Sequence, residues 1–353
     1  MQNRVKRYIL PGLIFQSVII SGGYGTGAEL KSYFLTRGPR GALLGLLVTA
    51  LIWAAVCAAT FELARRWRAY DYRSFFTRLL GRGWRLYELA YLALLLISLA
   101  VIYSAAGICA LGAGLPAALG STAAAVCIVL LVLRGTAAVE GFLSLWSYLL
   151  YAVYLCFFIA CLTRFGGGIR AALGSGQTLS GWAGGGARYA FYNLGMIPAA
   201  LHSARFARTR REALLSGVFA ALIAAAPALL LLLAMCGTYP AVLTCEAPVR
   251  ALLAALDMPL LSAAFQLVLF GTLIETGAGL IKAVTQRFDS ASAPSPARRA
   301  AITAALAAAG GAVSMLGLEP LVVRGYGGVS WVFLAVYVAP VLYAGAREIF
   351  KKI

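Results

Sequence analysis

Charge and histidine are what this chain is short of. Of its 353 residues, 12% are Asp, Glu, Lys or Arg, and one, His202, is histidine. A soluble domain carries about 25% charged residues to cover its surface, so the deficit excludes a water-solvated globule. A single histidine removes His-rich metal sites and any Ser-His-Asp triad not built on His202 itself. The seven cysteines (Cys57, Cys109, Cys127, Cys156, Cys161, Cys236 and Cys245) form no C-x-x-C pair. Most lie in apolar runs, where cysteine behaves as a small hydrophobe. Cys236 and Cys245 are the one pair to check for a disulfide. No phosphate-binding G-x-x-x-x-G-K-[ST] loop occurs, and Gly325-Tyr326-Gly327-Gly328 reads as a tight turn.

What is present is apolar. The AVILMFWYC residues make up 62% of the chain, and runs such as Leu92 to Val101 and Phe219 to Met235 carry no charge. Lipid is therefore the solvent for most of the protein. Stretches near 20 residues, bounded by charge or by Gly/Pro clusters, mark ten spans at 8–36, 41–64, 86–112, 117–133, 141–163, 184–204, 212–236, 259–283, 298–317 and 328–346. Residues 1–7 lead into a segment too long and too glycine-rich for a cleavable signal peptide. The reading is an all-α polytopic membrane protein of about ten transmembrane helices.

Topology accounts for the net charge of +18. With the amino terminus in the cytoplasm, 22 of the 30 Lys and Arg fall on that side, in the termini and the connections after spans 2, 4, 6 and 8. This is the positive-inside pattern, and it puts both termini in the cytoplasm of a cell with the chain in its plasma membrane. Residues 65–85 hold seven Arg among Trp67, Tyr70, Tyr72, Phe75, Phe76 and Trp84. That mixture suits an interfacial helix on an anionic leaflet rather than nucleic acid. Residues 239–258 read as a cap on the outer face, 166–186 as an outer Gly/Ser loop, and 289–296 as a short Ala/Ser/Pro linker.

Two spans read as interrupted. Ser21-Gly22-Gly23-Tyr24-Gly25-Thr26-Gly27 puts four glycines into seven residues, and each costs about 1 kcal/mol relative to alanine in a helix. The alternative is a G-x-x-x-G packing face on Gly23 and Gly27. Thr26-Gly27-Ala28-Glu29 matches the S/T-x-x-E capping box and predicts a helix restart at Thr26. Glu29 then has two compatible readings: a cap for the second half-helix, or a group in ion or proton coupling. Tyr192-Asn193-Leu194-Gly195-Met196-Ile197-Pro198 repeats the pattern in span 6, with a simple proline kink as the alternative. Interruptions in the first and sixth of ten spans predict two five-helix repeats of inverted topology, 8–164 and 184–346.

These residues carry a resemblance. Gly22-Gly23-Tyr24-Gly25-Thr26-Gly27-Ala28-Glu29, Tyr192-Asn193-Leu194 with Pro198, Arg210-Arg211-Glu212-Ala213 and Glu275-Thr276-Gly277-Ala278-Gly279 resemble the YkvI-type bacterial membrane proteins. These form a branch of the amino acid/polyamine/organocation transporter superfamily with the LeuT-like fold. The resemblance implies a central solute site at Ser21, Gly22, Gly23, Tyr24, Gly25, Thr26, Gly27, Asn193, Leu194 and Gly195. It also implies a cation, Na+ or H+, between the first break and span 8, at Gly22, Gly25, Thr272, Glu275 and Thr276. Hydroxyl ligands suit sodium; the carboxylate of Glu275 leaves the ion open.

Glu275 stands two to three turns from Lys282 and Arg287, and an acid facing lipid there costs at least about 3 kcal/mol. It reads either as a protonatable or cation-binding group or as half of a structural ion pair. Tyr103 and Ser104 in span 3 offer a ring and a hydroxyl to the cavity or pack between helices, and His202 reads as interfacial. No nucleophile-base or metal-ligand set points to an enzyme. The expected function is ion-coupled secondary transport of a small polar solute, an amino acid or related zwitterion, with lipid and that solute as partners. The alternative is a permease-like receptor that senses a ligand in the same cavity. Sequence leaves the oligomeric state open.

Overall fold

A computed structural model describes residues 2–134, 136–289 and 296–350, with backbone alone at 2–3, 136–148, 286–289 and 349–350. The linker expected at 289–296 lies almost wholly outside them. All regular structure among the described residues is helical. In chain order the main helices are α1 (Gln2–Tyr8), α2 (Leu10–Ile19), α3 (Ala28–Tyr33), α4 (Pro39–Trp67), α5 (Tyr72–Leu80), α6 (Trp84–Gly112) and α7 (Ala117–Leu133). They continue with α8 (Thr136–Gly174), α9 (Trp182–Leu194), α10 (Arg210–Cys236), α11 (Pro248–Leu256), α12 (Pro259–Asp289) and α13 (Pro296–Ser314). The last is α14, Leu318–Glu348. Six helical stretches among the described residues are long and apolar enough to cross a membrane.

Apolar side chains turned outward show that the bundle is built for lipid. Leu44, Leu47 and Leu51 recur at helical spacing on α4 and are exposed, as are Val126, Leu130 and Leu133 on α7. Inside, helices meet through small residues, which replace the hydrophobic drive that lipid cannot supply. Gly217 of α10 lies on the backbone of Ala58 in α4, Gly186 of α9 on the carbonyl of Gly45, and Gly120 of α7 on that of Ala106. Gly12 of α2 rests against Ala220. Gly217→Ala would overpack the α4–α10 crossing and should cost about 1–3 kcal/mol. The expected result is a lower melting temperature with flux per folded molecule retained.

Both ends of the described chain lie at one face of the bundle. Arg7 Nη1 pairs with Glu212 Oε1 at 2.8 Å, and Arg66 Nε with Glu348 Oε2 at 3.3 Å. Between α4 and α6, Asp71 caps α5 by accepting from Ser74 N at 2.9 Å. Phe75 and Phe76 are buried under that helix, and Phe76 stacks on Tyr87, which leaves the arginines on the other side.

Two expectations need correction, and one open question is answered. The loop expected at 166–186 is helical as far as Gly174, because Ile169 and Ala172 are buried and Gly168 packs on the Gly237 carbonyl. Tertiary contact overrides weak helix propensity there. The tight turn expected at 325–328 is helix: the wide turns of Leu321–Tyr326 run straight into Gly327–Phe333, and burial of Tyr326 holds them. Cys236 and Cys245 are both free thiols, the first buried and the second half-buried.

Candidate functional site

The first break is made by two departures from the helix. Ser21 is extended (φ −118°, ψ −168°), one helical turn follows at Gly22–Gly25, and Gly27 takes φ +82° before α3 begins. That φ is left-handed, a conformation a Cβ disfavours. The capping box does not form. Gly27, not Thr26, occupies the cap position, and no side chain caps α3. Thr26 Oγ1 instead donates back to the carbonyls of Gly22 at 2.9 Å and Gly23 at 3.1 Å. Its hydroxyl is spent on the turn before it, and Glu29 is released to point inward. Thr26→Ala should loosen this turn by about 1 kcal/mol. The check is faster deuterium exchange across residues 22–27 with the helices around them unchanged.

Chain from the far face covers the break. Val249 N, on α11, donates to Thr26 O at 3.0 Å, and Pro248 and Val249 approach Gly27. On the same face Lys31, 4% exposed, donates to Cys245 O at 2.8 Å and pairs with Glu319 at 3.6 Å.

The second break follows α9. Residues 195–197 tighten into i→i+3 bonds from Gly195 N to Tyr192 O, Met196 N to Asn193 O and Ile197 N to Leu194 O, each 3.0 Å. Pro198 then opens a new helical turn, Pro198–Leu201, the position where its missing N–H costs least. It starts a helix rather than kinking one. Asn193 Nδ2 donates to Tyr189 O at 2.9 Å, and Gly195 O accepts from the Tyr87 hydroxyl at 2.9 Å. The Phe333 ring lies over Gly195, and Leu194 is fully buried.

The two breaks border one cavity. Ser21 with Val18 from the first, and Tyr192, Asn193 and Met196 from the second, line it together with Leu94 and Ser98 of α6, Thr276 and Leu280 of α12 and Tyr326 of α14. At about 10 Å³ it has room for about one water molecule. Beside it Tyr192 stacks on Tyr326, centroids 4.5 Å apart and planes 3° from parallel. The Tyr192 hydroxyl donates to Glu29 Oε2 at 2.6 Å. Glu29 is 1% exposed, and its Oε1 makes no full hydrogen bond.

Helix α12 faces the first break with one stripe. Gly25 meets Leu269 and Gly22 meets Leu273, and Thr272 and Thr276 share that face at helical spacing. Thr272 Oγ1 donates to Val268 O at 2.9 Å, and Thr276 reaches the cavity. Glu275 is half-buried, within electrostatic reach of Tyr151, whose hydroxyl donates to Gln16 Oε1 at 3.1 Å. Among the residues whose side chains are described no cation pairs with Glu275.

Of the expected site residues, the structure brings Ser21, Asn193 and Thr276 to the cavity wall; Gly22, Gly23, Tyr24, Gly25, Thr26 and Gly27 are not part of that wall, and Thr26 borders a separate small cavity beneath α11. Tyr103 is a correction: its ring lies against Gly310 of α13, and it is not part of the cavity wall. Ser104 likewise bonds outward, to Ser314 O at 3.1 Å. His202 is exposed. The polar wall residues that sequence did not assign to the site are Ser98, Tyr192 and Tyr326, beside the apolar Val18, Leu94, Met196 and Leu280. For Tyr326 a signal was present: a tyrosine flanked by glycines that let neighbours close in, with Gly325 on Ile97 and Gly327 near the Tyr33 hydroxyl.

No protein-family model matches the chain, and no curated protein matches it in sequence. Solved structures do. MhsT, crystallised in complex with L-phenylalanine, superposes with a TM-score of 0.68 at 17% identity, over 97% of this chain and 89% of that one. A Na+-coupled sialic acid symporter in a substrate-bound, outward-open state gives 0.53 at 13% identity, over 96% and 87%. At such identities the likeness establishes the fold, which is the LeuT-like one, in a polytopic helical membrane protein.

Proposed function

We infer that a chain with this fold and this cavity is a secondary transporter of a small polar solute. One observation carries the reading: two chain breaks, far apart in sequence, face a single cavity inside an apolar bundle, where Ser21, Ser98, Asn193 and Thr276 stand among apolar side chains. Irregular backbone inside a membrane is tolerable where it lines such a cavity, and breaks of this kind can turn backbone N–H and C=O groups toward a zwitterion and a cation. The proposed solute is an amino acid or related zwitterion, in keeping with the L-phenylalanine held by MhsT.

The finer architecture belongs to the same proposal. Ten spans form two inverted repeats, 8–164 and 184–346, with both termini in the cytoplasm of a bacterium and 65–85 and 239–258 as its inner interfacial and outer capping segments. The motifs around Gly22–Glu29 and Glu275 support a place in the YkvI-type branch. A gradient of Na+ or H+ supplies the energy through Glu29 or through the Gly22, Gly25, Thr272, Glu275 and Thr276 group.

Thermal-shift screening of the purified protein against amino acids and amines, with sodium and pH varied, identifies the solute by its mass-action stabilisation. Flux of that solute into proteoliposomes under an imposed sodium or proton gradient is then expected. Tight binding with no flux under any gradient would overturn transport and assign a receptor.

A further inference from the structure

Glu29 is a buried acid without the company a structural acid keeps. Five phenols surround it: Tyr24 from the break, Tyr33 from α3 itself, Tyr189 and Tyr192 from α9 and Tyr326 from α14. All five lie within electrostatic reach of the carboxylate. Of these hydroxyls, Tyr192 alone has a hydrogen bond to it, at 2.6 Å on Oε2. Oε1 is buried without a full hydrogen bond, the Tyr24 backbone N–H being the one further donor turned toward the carboxylate, and the hydroxyls of Tyr24 and Tyr189 are buried without partners. The backbone of Gly23 closes over Oε1, so closely that a Cβ there would strike it.

No cation among the described residues balances this acid. Lys31, two residues on, is engaged by Cys245 O at 2.8 Å and Glu319 at 3.6 Å. Arg188 neighbours Tyr33 and donates to Gly184 O at 3.4 Å. A charge sealed in this cluster would be uncompensated, the most unfavourable state a buried group can take. A protonated carboxyl in the same place carries no such penalty, and it still accepts the Tyr192 hydrogen bond.

We propose that Glu29 is a proton-binding site, loaded with one proton while the tyrosine cluster is closed and emptied to water when it opens, so that a proton travels with the solute. This rests on the transporter reading. The exchange is carboxylate plus a proton from water, giving the carboxylic acid, and it consumes nothing else. Tyr192 makes it consequential. Its hydroxyl bonds the acid, its ring stacks on Tyr326, and both tyrosines are walls of the solute cavity. Loss of the proton leaves a bare anion that needs water, and water reaches it only if that wall moves.

Infrared difference spectroscopy between acid and alkaline pH, on the full chain in phosphatidylethanolamine/phosphatidylglycerol liposomes, tests the site with the proton itself as probe. A carbonyl stretch of a protonated carboxylic acid, lost as pH rises, is expected in the wild type. It should vanish in Glu29→Gln, persist in Glu275→Gln, and titrate at a displaced pH in Tyr192→Phe, which keeps the acid and removes its donor. Deuterium exchange over residues 189–197, corrected for intrinsic base catalysis, should rise with pH in the wild type and stay flat in Glu29→Gln. If Glu29→Gln does not fold, the Tyr192→Phe displacement decides. A band unchanged by Glu29→Gln, or a titration unmoved by Tyr192→Phe, overturns the proposal. The two failures look different. Sodium-driven flux without any Glu29-dependent band removes the proton site and leaves transport standing; a normal band without flux at any pH removes transport.

Discussion

Gly23→Leu should reduce solute flux to that of empty liposomes while the protein still inserts and folds. At Gly23 a Cβ alone already meets the Glu29 carboxylate, and a leucine adds a branched chain where no space exists. Glu29 cannot retreat, because Tyr192 and the tyrosines behind it occupy the other side. The side chain must therefore push the break apart, moving Ser21 and the wall of the cavity. Overpacking of this kind costs about 1–3 kcal/mol of stability, which a bundle of this size should survive, whereas a site built from closely spaced backbone should not. Flux assays on equal amounts of monodisperse protein check it. Wild-type flux from Gly23→Leu would remove the break from the solute path.

The second large effect is expected at Glu275. Gln keeps the size of the side chain and deletes its charge, so Glu275→Gln should abolish accumulation against a gradient and leave counterflow exchange intact. A structural ion pair predicts the opposite pattern, with lost stability and expression and normal coupling per molecule. The structure favours the first outcome, because among the residues whose side chains are described, which leaves out Arg287, no lysine or arginine pairs with Glu275. Uptake driven by an imposed cation gradient, measured beside exchange at zero gradient, separates the two. Retained uphill uptake would end the coupling role of Glu275.

The breaks were legible because their cause is local. Four glycines between Gly22 and Gly27, and Asn193, Gly195 and Pro198 in the later segment, disfavour helix whatever surrounds them. The capping reading of Glu29 fails for the converse reason, while its coupling reading stays open. The S/T-x-x-E spacing is a true capping signal, but Thr26 found carbonyls one turn back, and the partner of Glu29 lies 163 residues away in Tyr192. Nothing in the neighbourhood of either residue announces the other. Tyr326 is similar: Gly325, Gly327 and Gly328 suggest a turn in isolation, and Gly325 and Gly327 become packing positions only once Ile97 and Tyr33 stand opposite. Composition marks 166–186 as a loop, although burial of Ile169 and Ala172 holds its first part, to Gly174, as helix.

The attachments on either side of Gly22–Gly27 differ in kind, and that difference has a mechanical meaning. Before the break, Gly12 is seated on Ala220 and Arg7 is tied to Glu212, so α1 and α2 are fastened to α10, which Gly217 fastens to α4. After it, Thr26 O and Lys31 are tied to Val249 and Cys245, chain of the far-face cap. The two attachments share a support, because Met235 at the end of α10 reaches Gly27 as well. The run between them turns at Ser21 and Gly27, and Ser21 borders the cavity. A shift of α10 would therefore be felt on both sides of the break at once, and substitutions along α10 should alter the cavity without touching a solute ligand.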